Sequence, residues 1–148
     1  MALSYYSLWV MHFMYGQHGH LLTANYYYKK HGKKYKWSGD KEIVRKAKKA
    51  YSAFIEWATQ SNLTITHTEI SLVSEQYQFG GTIDAMLIQG KRSLGDWKTS
   101  NNIYVENLCQ LGAYGILWDE NFPDDLITGG YHLMRFSKDY GDFSHRWW

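Results

Sequence analysis

Apolar residues recur along this chain with two different periods, and the period changes near residue 62. Upstream, Ile43, Ala47, Ala50, Tyr51, Phe54 and Ala58 are spaced as on one side of a helix. That predicts a helix from Lys41 to about Gln60, with Asp40 as its cap. Arg45, Lys46, Lys48 and Lys49 fall on the opposite face. Downstream the apolar positions alternate. Thr64 to Glu75 reads as a strand packed through Ile65, Ile70, Leu72 and Val73. Gln78 to Gln89 reads as a second strand, entered through Gly80 and Gly81. Gly90 and Lys91 make a tight turn into a third, Arg92 to Lys98. Short connections predict an antiparallel meander. Helical spacing returns over 103–118, carried by Ile103, Leu108, Leu111, Tyr114, Ile116 and Leu117. The segment Asn121 to Asp125 holds the one proline and ends that helix. Thr128 to Phe136 and Asp142 to Trp148 read as closing strands. The order predicts an α/β fold, a central mixed sheet flanked by helices.

Residues 1–40 fit neither period. They carry an apolar, aromatic start, three consecutive tyrosines (Tyr26 to Tyr28) and a basic loop over 31–40. With 148 residues and 45% hydrophobic content, one domain with a real core is expected. Its core is expected over 41–148. No stretch approaches the ~20 apolar residues of a membrane span, and a secretory leader pattern is missing from Met1 to Tyr15. One cysteine, Cys109, fits a reducing cytoplasm.

The net charge of +2 conceals an asymmetry. Residues 1–61 hold ten Lys or Arg against three Asp or Glu; residues 62–148 hold six against eleven. Lysines of the first part can hold phosphates while carboxylates of the second hold a cation. The bland alternative is a solvated helix face and loop.

The chemistry concentrates at LGDWKT, Leu94 to Thr99. Residues two apart on a strand share a face, so Asp96 and Lys98 project together and Trp97 projects the other way. Pairing around Gly90 brings Asp84, from GGTID, across the ladder towards Asp96. Like charges directly opposite are destabilising, so this pair calls for a cation. Oxygen ligands at this density suit Mg²⁺ or Mn²⁺. Glu69 on the first strand is a candidate third acid on that side. A cation there neutralises a phosphate and lowers the pKa of a bound water, with Lys98 to orient that water or stabilise charge. Gln110 and Tyr114, one helical turn apart, can reach phosphate or the carboxylates.

The succession Glu69, GGTID with Asp84, DWKTS with Asp96 and Lys98, then QLGAY resembles the PD-(D/E)XK nuclease superfamily. It is most similar to the RecB-type and phage exonuclease branch. Over roughly Phe54 to Trp148 the resemblance implies a restriction-endonuclease-like fold with an αβββαβ core and Mg²⁺-dependent cleavage of DNA. Asp84 and Asp96 would be metal ligands, helped by the Trp97 carbonyl. Lys98 would be the catalytic lysine and Glu69 the acid of the first core strand. Gln110 and Tyr114 match the helix motif; Thr99, Lys46 and Lys49 are candidate DNA contacts. Members of this branch carry an earlier helix with a metal-binding histidine. Over Gly19 to Tyr27 this chain has Thr23 at that place and Tyr27 where a glutamate belongs. The implied role is DNA recombination, repair or phage DNA processing, with a helicase or recombination protein as partner. A nuclease-fold DNA-binding or assembly module without turnover is the alternative. A hydrolase for another substrate is disfavoured by the basic helix.

Other signals are read as structural. The seven histidines lack zinc-binding spacing, and His67 is a surface residue of the first strand. Cys109 has no activating base pattern. Gly129 and Gly130 are not followed by a helix, which argues against a phosphate loop. Trp147 and Trp148 are read as packing at a sheet edge rather than stacking on bases.

Overall fold

A computed structural model describes residues 41–62, 64–137 and 139–148, without the side chains of residues 43, 51 and 55. The expectations for residues 1–40, including the Asp40 cap and Thr23, and for the side chains of Ile43 and Tyr51, lie outside the described residues.

Among the described residues, two helices and five strands follow in the order α1 (Lys41–Gln60), β1 (Thr64–Ser74), β2 (Phe79–Ile88), β3 (Arg92–Lys98), α2 (Val105–Asn121), β4 (Tyr131–Phe136) and β5 (Phe143–Trp147). The strands form one mixed sheet in chain order. β1, β2 and β3 are an antiparallel meander, β4 runs parallel to β3, and β5 returns antiparallel. Parallel pairing needs a long crossover, and α2 supplies it.

The helices cover opposite faces, giving three layers. Ala50, Phe54 and Ala58 of α1 pack on Ala85, Trp97, Met134 and Phe136. Phe54 is the hub, edge-on to Trp97 at 5.2 Å and to Phe136 at 5.7 Å. Burying a side chain of this size is worth about 2–3 kcal/mol. On the other face Leu111, Leu117 and Trp118 of α2 pack on Ile83, Met86, Leu94 and Leu133. α1 ends where Asn62 adopts a left-handed φ of 49°. α2 runs three residues past its expected end at 118. Asn121 closes it, Phe122 N–H still bonds the Trp118 carbonyl at 2.8 Å, and Pro123 then stops it.

Among the described residues, no helix is long and apolar enough to cross a membrane.

Candidate active site

The site lies on the α2 side, where β2 and β3 diverge. Their ladder pairs Ile88 with Arg92 through to Ala85 with Gly95. Asp84 and Asp96 are the next residues outward on each strand. Asp84 Oδ2 there accepts the Trp97 N–H at 3.0 Å. The N–H and C=O of one strand residue face the same neighbour. The Trp97 carbonyl is therefore aimed at the β2 side, where Asp84 lies, while its indole is buried in the α1-side core.

Strict alternation does not explain how Asp84 reaches this face. Ile83 and Met86, three apart, both belong to the α2-side core. The break in alternation lies opposite Glu69, whose φ is 51°. The register holds across it, with Thr68 on Ala85 and Ile70 on Ile83. The strands are therefore bent at this row rather than slipped. Glu69 is exposed, and among the described residues no group of three His, Cys, Asp or Glu side chains is placed to hold an ion.

Asp96 is fully buried. Lys98 Nζ lies 2.7 Å from its Oδ2, an ion pair, and Oδ1 has no hydrogen-bond partner. Burial pushes the Asp96 carboxyl up, against the pull of Lys98. Asp84 is pushed up to about 7 by burial first and by the Asp96 charge second; the Trp97 N–H and Lys98 oppose this. Two such groups within a low-dielectric wall cannot both hold a negative charge cheaply. The set of donors is hard oxygen with unsatisfied lone pairs, which fits a hard divalent cation.

Helix α2 orients the lysine. Lys98 Nζ donates to Gln110 Oε1 at 2.6 Å, and Gln110 Nε2 donates to Tyr114 Oη at 2.7 Å. The relay thus runs to the lysine rather than to the carboxylates. Gly81 lets the helix come this close, since a methyl group there would lie 2.9 Å from Tyr114 Cε1. Burial raises the Tyr114 phenol, and the nearby Asp84 and Asp96 charges add to this.

The remaining candidates lie apart. Thr99 follows β3, half buried. Lys46 and Lys49 are on α1, which packs on the opposite face of the sheet. His67 meets Trp118 edge-on at 5.5 Å.

Two features carried no assignment in the sequence reading. Arg135 is the β4 neighbour of Lys98, bonded to Ser144 Oγ, Asp142 Oδ2 and the Ser100 carbonyl. It braces the loop that follows Lys98. His132 and His145 share a hydrogen bond of 2.9 Å beside Trp57. Their rows meet only because β5 pairs antiparallel with β4, which spacing alone does not specify.

No protein-family model and no characterised protein matches this chain.

Proposed function

We propose that this chain is a metal-dependent DNA nuclease of restriction-endonuclease-like fold. The observation that carries the reading is two neighbouring carboxylates, the buried Asp96 and Asp84, that share a single ammonium group, Lys98, 2.7 Å from Asp96. A fold rarely keeps such an arrangement for stability, because one ammonium cannot offset two like charges taken out of water. Asp84, Asp96 and the Trp97 carbonyl would hold Mg²⁺ or Mn²⁺. Such an ion, when bound, supplies Lewis acidity and charge neutralisation at a phosphodiester.

The chain's own groups do the rest. Asp84 and Asp96 would hold that ion and in this way set where a phosphate could sit. Lys98 presents its ammonium to the attacking water or to the charge that develops on the phosphoryl oxygens. Gln110 holds the amine in place, and Tyr114 holds Gln110. DNA recombination, repair or phage DNA processing is the setting this chemistry suits, with exonuclease action favoured by the branch resembled.

A nuclease-fold binding module without turnover is the second reading. It is favoured by the exposure of Glu69, which leaves two carboxylates where three were expected. One experiment separates the two. Linear and closed circular DNA are incubated with Mg²⁺, Mn²⁺ or EDTA, using the native chain, Asp96→Ala and Lys98→Ala. The enzyme reading expects metal-dependent degradation, lowered at least ~100-fold by either change, with DNA binding retained. Binding without degradation under every metal condition establishes the module.

A further inference from the structure

β3 and β4 are parallel, so both end at one edge of the sheet, and Lys98 faces Arg135 there. The turn between β4 and β5 begins two residues later, at Ser137. It is tied down on three sides. Ser137 N–H bonds the Asp142 carbonyl at 2.9 Å, and Gly141 N–H bonds the Ser137 carbonyl at 3.0 Å. Ser137 Oγ donates to Asn101 Oδ1 at 3.2 Å, and Asn101 Nδ2 donates to Asp139. Arg135 adds its bond to the Ser100 carbonyl at 3.2 Å. The loop leaving the carboxylate site and the β4–β5 turn are thus one braced unit.

The turn also lies against α1. Gly141 has a φ of 62°, and a methyl group there would come within 2.6 Å of Lys46 Cα. Lys46 and Lys49 share one side of that helix at i, i+3 spacing. Residues 41–49 hold five Lys or Arg and one acid, Glu42, which is ion-paired with Arg45 at 2.7 Å and more loosely with Lys46 at 3.8 Å, so the face keeps a net positive charge. The carboxylates of the turn are also engaged, Asp142 by Arg135 and Asp139 by Asn101. A cationic helix face therefore continues, across the turn, the edge at which Lys98 stands.

On this braced turn stands Tyr140, 71% exposed, with its backbone N–H held by Ser137 Oγ at 3.1 Å. A lone exposed aromatic needs no explanation. One fixed on a pinned backbone, between a phosphate-cleaving edge and a lysine face, has the composition of a single-strand platform. Such platforms combine aromatic stacking on bases with cations on the backbone. In a duplex the base faces are covered by their neighbours, so a stacking ring selects unpaired bases.

We propose that the β4–β5 turn and the first half of α1 form a track for a single DNA strand leading from the carboxylate site, with Tyr140 stacking on an unpaired base and Lys46 and Lys49 holding its phosphates. The proposal rests on the nuclease reading for the identity of the polymer.

The test is fluorescence anisotropy in EDTA, where cleavage cannot interfere, with a labelled single strand and a duplex of the same sequence. The native chain is compared with Tyr140→Ala, Tyr140→Phe and the double change Lys46→Gln/Lys49→Gln. Tyr140→Ala is expected to weaken single-strand binding about tenfold, and duplex binding less than twofold. Tyr140→Phe keeps the ring and binds as the native chain does. The lysine double change lowers the salt slope of single-strand binding by about 1.4, two contacts at ~0.7 each. Thermal melts of the Tyr140 variants should match the native chain, because that ring is at the surface; Lys49→Gln alone, at an exposed position, is the control for any loss of stability from the half-buried Lys46. Equal binding by Tyr140→Ala overturns the stacking role, and an unchanged salt slope overturns the phosphate track. A stronger loss on the duplex assigns the edge to double-stranded DNA and overturns the single-strand assignment. A chain that binds as expected but never cleaves leaves the track standing and removes the nuclease reading. A chain that cleaves but is indifferent to all three changes does the reverse.

Discussion

The two faces of the sheet each bury a pair of like titratable groups, and the pairs solve the same electrostatic problem differently. On the α1 side, His132 and His145 satisfy each other: one ring nitrogen donates to the other at 2.9 Å, and both rings stay neutral. Burial holds each at about 4, and at His132 the neighbouring ring adds to it. On the α2 side, Asp84 and Asp96 have one ammonium between them, Lys98. A carboxylate is an acceptor only, so two of them cannot form a neutral hydrogen-bonded pair without taking up a proton. A buried pair that completes itself needs nothing from outside. A buried pair that stays incomplete is a place where something else binds.

The comparison breaks most visibly at Asp96. Asp96→Asn keeps the shape and removes one charge. We expect at least a ~100-fold loss of cleavage together with a higher melting temperature of the metal-free protein. A variant that is both inactive and less stable would show Asp96 to be a structural residue and would end the contrast between the faces. Saturating Mg²⁺ should raise the melting temperature of the native chain and leave Asp96→Asn almost unmoved.

The pH dependence of stability sharpens the contrast, because the two pairs slope in opposite directions. The folded histidines titrate near 4 against an ordinary 6.5. The unfolded chain binds their protons first, so stability is lost as pH falls from about 6.5 towards 4. Asp84 is the reverse, at about 7 when folded against 3.8. Without metal, its contribution is lost as pH rises from about 4 through 7. The two trends oppose each other, so each partly masks the other in the metal-free native chain. Urea unfolding in EDTA should give a native profile that lies between those of the two variants that each remove one pair. Asp84→Asn should unmask a profile that rises from pH 4 to 6.5. The double change His132→Gln/His145→Gln should leave one that falls. Parallel profiles for all three proteins would mean that neither pair is linked to folding as argued.

The sequence carried the strands and the ladder well, because period and turn residues report them directly. Arg92 to Lys98 runs as expected. Pairing around Gly90 placed Asp84 and Asp96 as neighbours, since register follows from the turn. The bend at Glu69 was hidden. A positive φ at a non-glycine residue inside a strand leaves no mark in composition or alternation, so neither it nor the exposure of Glu69 was legible. The layering of the lysines was hidden too. Lys46 and Lys49 belong to a helix on the far side of the sheet, and only the tertiary contact at Gly141 brings that helix to the edge where Lys98 stands. Arg135 was invisible for a related reason: its place beside Lys98 depends on β4 running parallel to β3, a long-range choice.

The smallest expected effect concerns the far end of the lysine relay. Tyr114 touches Lys98 only through Gln110, with bonds of 2.7 and 2.6 Å. Tyr114→Phe keeps the ring under Gly81 and removes one acceptor. That should cost about 1 kcal/mol of stability and lower kcat less than tenfold, with KM unchanged, because Gln110 still faces the amine. Gln110→Leu removes the contact itself and should cost more. The ranking is the informative part. If the phenol touches only the relay, the loss of rate decreases along Lys98, Gln110 and Tyr114. A loss at Tyr114→Phe as deep as at Lys98→Ala would put the hydroxyl in contact with the reacting phosphate. The α2 face would then hold a fourth reacting group beside Asp84, Asp96 and Lys98, and Gln110 would be there to aim the phenol rather than the amine.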